Sequence, residues 1–184
     1  RFAGFSPSSA QWAALAMWTL HYFKREMETF FVHLFYPVTM PARNIFKNCA
    51  YYWGFAAAVS YHINHPFYRS PDVKWLAIGG AVWALAQLGN LYCHISLRRL
   101  RLKNFWVWSL PRGFLFNRIS CPNYTMEILG WIAFNVATQS LWGWIFICCG
   151  TAQIVPWAKQ KHRRLRKLFP GETKGRKMLV PFLF

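Results

Sequence analysis

The feature that most constrains this chain is a 35-residue apolar run, Tyr124 to Ala158, with a basic cluster on either side. One membrane-spanning helix needs about 20 residues. A run of this length predicts a hairpin of two helices, with Gln139-Ser-Leu-Trp-Gly143 as the break. The flanking clusters hold fifteen of the 22 Lys and Arg residues, six in 98–118 and nine in 159–177. A two-helix hairpin returns the chain to its starting side, so both clusters face one compartment. The positive-inside rule makes that compartment the cytosol.

The rest of the chain repeats the alternation. Ala10–Phe23 is apolar but short for a span, and a charged knot follows it: Lys24, Arg25, Glu26 and Glu28. Phe30–Pro41 reads as an interfacial connector. Asn44–His62 and Val73–Leu97 are two further apolar stretches, separated by a loop marked by Pro66 and Pro71. The expectation is an all-α, polytopic membrane bundle of about four to five helices, forming one domain over 1–184. The chain begins at Arg1 with no leader pattern and reads as the C-terminal portion of something longer.

Composition excludes other classes. Hydrophobic residues are 55% and charged residues 15%, against about 45–50% and about 25% in average soluble domains. An aromatic content of 20% excludes disorder. Five cysteines with no CxxC spacing exclude a disulfide scaffold. The net charge of +17 calls for an anionic partner. Long apolar segments favour anionic lipid or a phosphate-rich small molecule over nucleic acid.

Two polar stripes carry the chemistry. Gln87, Asn90, His94, Arg98 and Arg101 fall within an arc of roughly 80° of one helix. Tyr124, Glu127, Trp131, Asn135 and Thr138 fall within a similar arc of the next. Polar groups in membrane helices face the bundle interior or a water-filled cavity. Glu127 is the only acid between Asp72 and Glu172. The preceding Arg cluster is its expected partner, with a helix-dipole role as the equal alternative. Cys148 and Cys149 read as packing residues, and His62 and His65 as interfacial or structural. There is no Rossmann, P-loop or HExxH motif, and no metal is expected.

Several segments resemble the trans-2-enoyl-CoA reductases of very-long-chain fatty acid elongation. These are His21–His33, Thr39-Met-Pro41, Asn44-Ile-Phe-Lys-Asn48 with Tyr51-Tyr-Trp-Gly-Phe55, and Tyr61–Pro66. The C-terminal half resembles the wider steroid 5α-reductase superfamily in Asn90, Leu97–Arg101, Leu110-Pro-Arg-Gly113, Ser120–Tyr124, Glu127, Trp131, Lys161-His-Arg163 and Pro181–Phe184. Two departures stand in the tail: Leu165 occupies a usual Tyr position, and Pro170-Gly-Glu-Thr replaces a usual Tyr-Pro pair.

The resemblance implies an all-helical fold of the steroid 5α-reductase type in the endoplasmic-reticulum membrane. It implies NADPH-dependent reduction of a trans-2-enoyl-CoA to the saturated acyl-CoA, the last step of the elongation cycle. Tyr124 takes the position of the catalytic tyrosine, Lys24 that of the essential lysine, and Tyr22 that of a carbonyl-binding tyrosine. Asn90, Arg98, Arg101, Arg112, Asn123, Glu127, His162 and Arg176 resemble cofactor-binding positions. His94 stands where the steroid reductases carry an acid. The implied partners are very-long-chain acyl-CoA, membrane lipid and other elongation enzymes. The competing readings are a steroid or polyprenol reductase, an isoprenylcysteine methyltransferase-like enzyme using S-adenosylmethionine, and a cationic lipid-binding scaffold. The Gln87–Arg101 stripe argues against the last.

Overall fold

The computed structural model describes residues 6–35, 39–103 and 106–180. Within them the chain forms five α-helices: α1 Ser9–Phe31, α2 Arg43–Ile63, α3 Val73–Lys103, α4 Pro122–Thr138 and α5 Leu141–Leu168. A 3-10 turn, Phe114–Asn117, precedes α4. Parts of the Phe30–Pro41 connector and the Pro181–Phe184 segment lie outside the described residues.

Local signals fix the helix ends. Ser8 caps α1 in a capping box with Gln11. Pro122 opens α4, where its missing N–H costs nothing. The hairpin turns at Gln139, which is left-handed with φ 48°, and Ser140 caps α5 through the Gly143 N–H. The expected break at 139–143 therefore falls at a real turn. Two helices run further than the apolar pattern indicates. α1 continues through the charged knot because Lys24 and Arg25 pair with Glu28 at helical spacing. α3 likewise continues through its arginines to Lys103.

Close approach organises the bundle. α3 and α4 form its most extensive pair, and small residues line their seam. A Cβ on Gly79 would lie 2.7 Å from the Ala133 carbonyl oxygen and from the Ala137 amide nitrogen. Gly130 leaves equivalent room for Gln87 and Ala86. Small residues let membrane helices approach until their backbones touch. Around this pair sits an aromatic cluster in which Trp131 lies 5.1 Å from Trp18, 5.6 Å from Phe134 and 4.7 Å from Phe146. Tyr51 stacks on Phe146 and donates to its carbonyl at 2.9 Å, joining α2 to α5.

α3 and α5 are long and apolar enough to cross a membrane. Only 28% and 22% of their most apolar windows are buried within the protein. A soluble core helix would hide that surface; these helices turn it outward, as lipid allows. Cys148 and Cys149 are both exposed, which corrects their reading as packing residues. In a bilayer both faces of a helix can be apolar, so an apolar residue need not point inward.

After α5 the chain folds back over the start of α4. The Ser120 N–H donates to the Lys177 carbonyl, the Lys177 N–H to Arg118, and the Cys121 N–H to Met178. This parallel bridge, Ile119 with Lys177, is the sole strand-like pairing among the described residues.

Candidate active site

All five helices and the 107–121 loop enclose a cavity of about 1050 Å³. α1 contributes His21, Tyr22 and Arg25. α3 contributes Asn90, His94, Arg98 and Arg101, and α4 contributes Asn123, Tyr124, Glu127 and Trp131. α2 adds Tyr51 and Tyr52, and α5 adds Lys161 and Leu165. Seven of the ten stripe residues thus meet on one cavity wall, carried there by the close α3–α4 seam, whereas Gln87 bonds His21 behind it and Asn135 and Thr138 bond the Trp131 and Phe134 carbonyls of their own helix.

Behind the wall runs a polar network. Asn90 is its centre: its amide donates to the Asn123 carbonyl at 2.9 Å and to Glu127 at 3.3 Å. Its side-chain oxygen accepts from Lys24 Nζ at 2.7 Å. Lys24 also donates to Glu28 at 2.8 Å. Glu28 is almost wholly buried, and Arg25 and His94 approach its other oxygen at 2.8 and 3.0 Å. His21 bridges Gln87 at 3.2 Å and Glu127 at 3.3 Å, and the Trp131 indole donates to Glu127 at 3.3 Å. A buried carboxylate persists only with such partners.

Two hydroxyls face the cavity differently. The Tyr22 hydroxyl is buried and has no hydrogen-bond partner among the described residues. An orphaned buried donor is costly, and at a cavity wall it points to a ligand acceptor. Tyr124, at the start of α4, has Lys161 Nζ over its ring at 4.5 Å from the centroid.

Of the residues singled out by sequence, Tyr22, Asn90, His94, Arg98, Arg101, Asn123, Tyr124 and Glu127 line this cavity. Four do not. Lys24 stands behind the wall, held by Glu28 and Asn90. Arg112 pairs with Glu172. His162 and Arg176 line a second crevice of about 520 Å³ with Lys159, Arg166 and Lys177. They touch the first cavity's wall from outside: His162 bonds Ser120 at 2.7 Å, and Arg176 donates to the Pro111 carbonyl at 2.9 Å.

The expected Arg partner of Glu127 is also corrected. Its closest side-chain partner is His21 of α1, because Arg98 and Arg101 turn to the carbonyls of Phe31 and Leu34. Arg25, His21 and Glu28 are the site residues that sequence reasoning passed over. Their helical spacing on α1 was the available signal.

Glu28, His33 and His94 bring three potential metal-ligand atoms within 4.8 Å of one another. Lys24 and Arg25 already bond both Glu28 oxygens, which opposes a further cation. Burial, with the charges of His94 and Arg25, lowers His33 to about 4. Burial raises the Cys121 thiol to about 11, with Lys161 opposing, so this cysteine is no nucleophile at neutral pH.

Comparison with known proteins supplies a second line. Residues 38–184 match the family described as 3-oxo-5-alpha-steroid 4-dehydrogenase. The chain is 50% identical over 180 residues to a Dictyostelium discoideum protein named very-long-chain enoyl-CoA reductase, covering 97% of this chain and 60% of that one. It is 44% identical over 178 residues to a Caenorhabditis elegans protein named "Probable very-long-chain enoyl-CoA reductase art-1" (92% and 58% covered). It is 33% identical over 171 residues to a Bos taurus protein named trans-2,3-enoyl-CoA reductase-like (89% and 47% covered). The chain spans about three fifths or less of the length of these curated relatives.

Proposed function

The chain belongs to the 3-oxo-5-alpha-steroid 4-dehydrogenase family, and on that premise we propose that it carries the reductive site of an NADPH-dependent very-long-chain trans-2-enoyl-CoA reductase. The observation that carries the reading is the pair of cavity-lining tyrosines, Tyr124 and the orphaned Tyr22 hydroxyl, on a cavity rich in cationic groups.

The wall fits a phosphorylated dinucleotide in its donor chemistry. Arg98, Arg101 and Lys161 line the cavity, and guanidinium groups bind phosphate oxygens bidentately. A bound dihydronicotinamide supplies hydride to C3 of the enoyl thioester. The C2–C3 π pair then moves toward the carbonyl, and negative charge gathers on the thioester oxygen. Tyr22 donates a hydrogen bond to that oxygen, where a preorganised donor is most effective. The carbonyl re-forms as C2 takes a proton from the Tyr124 hydroxyl, and solvent restores the tyrosine. A phenol keeps its proton at neutral pH, so it is loaded for this step. Asn90 holds Asn123, the residue before Tyr124, and so orients the proton donor. The aromatic surface of Trp18, Trp131 and Phe146 suits the acyl chain.

The reading extends to the endoplasmic-reticulum membrane, with both basic segments on the cytosolic side. Acyl-CoA and the other enzymes of the elongation cycle are the expected company. The test uses full-length protein in detergent and follows NADPH oxidation on a long trans-2-enoyl-CoA, comparing wild type with Tyr124→Phe. Activity lost while NADPH binding persists supports the reaction and the proton donor. Turnover of a steroid or polyprenol enone instead of the enoyl-CoA overturns the substrate. Absence of NADPH binding overturns the reductase.

A further inference from the structure

The family resemblance assigns the essential cation of this site to Lys24, but Lys24 is not on the cavity wall. Its Nζ donates to Glu28 at 2.8 Å and to Asn90 at 2.7 Å, and its side chain is 16% exposed. Its next neighbour in sequence also pairs with Glu28 but is placed differently. Arg25 lines the cavity, its side chain is 36% exposed, and among the described residues its one ion pair is with Glu28. We propose that Arg25 is the catalytic cation that bears the charge developing on the thioester oxygen, and that Glu28 is the positioning residue that holds it there. This rests on the reductase reading above.

Three observations carry the assignment. The first is proximity. Arg25 stands three residues beyond Tyr22 on α1, the spacing that places two side chains on one helix face, and both line the cavity. An oxygen that accepts from Tyr22 therefore sits in the field of Arg25. The second is donor supply. A guanidinium carries five N–H donors, and the Glu28 contact accounts for one. The third is the buried anion. Glu28 is 1% exposed and receives Lys24, Arg25 and His94 on two oxygens. Arg25 and His94 line the cavity and Lys24 does not. Lys24 thus serves as the counter-charge of Glu28 and the strut of Asn90, while Arg25 faces the substrate.

No new co-reactant is needed. As hydride arrives at C3 and the π pair shifts, the thioester oxygen gains charge, and Arg25 and Tyr22 donate to it. When C2 takes its proton the carbonyl returns and both donors keep their own protons.

The experiment uses full-length protein in detergent, with Arg25→Met, Arg25→Lys and Lys24→Met beside wild type. It reads kcat on a long trans-2-enoyl-CoA, the NADPH dissociation constant by cofactor fluorescence, and the pH profile. Arg25→Met is expected to lower kcat about 100-fold, the loss typical of one oxyanion donor, with NADPH affinity within about threefold. Arg25→Lys is expected to recover part of that rate and to add an alkaline fall near pH 10, since an ammonium titrates there and a guanidinium does not. Purely structural damage would not create that new titration. Lys24→Met is expected to weaken NADPH binding, through Asn90, more than it lowers kcat. Should Arg25→Met fail to fold, the Arg25→Lys profile decides alone. Arg25→Met retaining a third of wild-type kcat overturns the assignment, as does an Arg25→Lys profile identical to wild type. A wild type that binds NADPH but leaves enoyl-CoA untouched overturns the reductase reading and this assignment together.

Discussion

Lys161 and Tyr124 come from opposite arms of the α4–α5 hairpin, yet the ammonium sits 4.5 Å from the centre of the phenol ring. A cation over an aromatic face contributes about 0.5–1 kcal/mol at an exposed site. In the proposed reaction Tyr124 gives up its proton, the phenolate charge spreads into the ring and the attraction grows. Lys161→Met is therefore expected to lower kcat about threefold to tenfold, and Lys161→Arg to keep most of it. Steady-state rates at saturating NADPH check this.

Glu28 should show its worth through a double-mutant cycle. Glu28→Gln removes the anion from beneath Lys24 and Arg25, and breaking a buried ion pair from one side costs about 3 kcal/mol or more. The double variant Lys24→Met with Glu28→Gln removes a matched pair. Its loss of thermal stability in detergent is expected to be clearly smaller than the sum of the single losses. Strict additivity would mean that Lys24 and Glu28 do not act on each other.

The α3–α4 seam tolerates no side chain at Gly79. The nearest atoms to an added Cβ are the Ala133 oxygen, the Ala137 nitrogen and the Ala137 Cβ, each at 2.7 Å and each fixed by the backbone. Backbone cannot rotate aside, so Gly79→Ala forces the helices apart, at about 1–3 kcal/mol. Gly54 has open space around its Cβ position, so Gly54→Ala is the matched control. Thermal inactivation midpoints should fall for the first and hold for the second.

His33 gives the site region a pH dependence. Burial lowers it from 6.5 to about 4, helped by the charges of His94, Arg25 and Arg101 and opposed by Glu28. The folded state thus binds this proton less readily than the unfolded chain. Stability from neutral His33 is complete above pH 6.5 and declines as pH falls toward 4. His33→Gln, neutral throughout, is expected to flatten that decline. Melting curves at pH 7, 5.5 and 4.5 read the difference.

Much of the scaffold was legible because it follows from length and period. The 35-residue run had to fold back on itself, and Gln139 turns it. Gln87, Asn90 and His94 recur at helical spacing, and all three are buried on the α3 face toward the site. What stayed hidden depends on partners distant in sequence. Whether Lys24 or Arg25 reaches the cavity is decided by Asn90, which lies 66 residues beyond Lys24 and captures it. The partner of Glu127 turns on Phe31 and Leu34, whose carbonyls engage the arginines first. The exposure of Cys148 was hidden for a solvent reason: against lipid, hydrophobicity carries little information about inside and outside.

The fold-back of residues 177–178 onto 118–121 has a consequence in time. A ribosome delivers α1 to α5 in order, and each can thread and pair as it emerges. The segment that leads into Tyr124 must wait for Lys177 and Met178 before its amides find their acceptors, and the loop at Pro111 waits for Arg176. The cavity wall is thus completed last, after all five helices have been made. A nascent chain stalled short of Arg176 would hold all five helices yet leave the cavity wall unfinished.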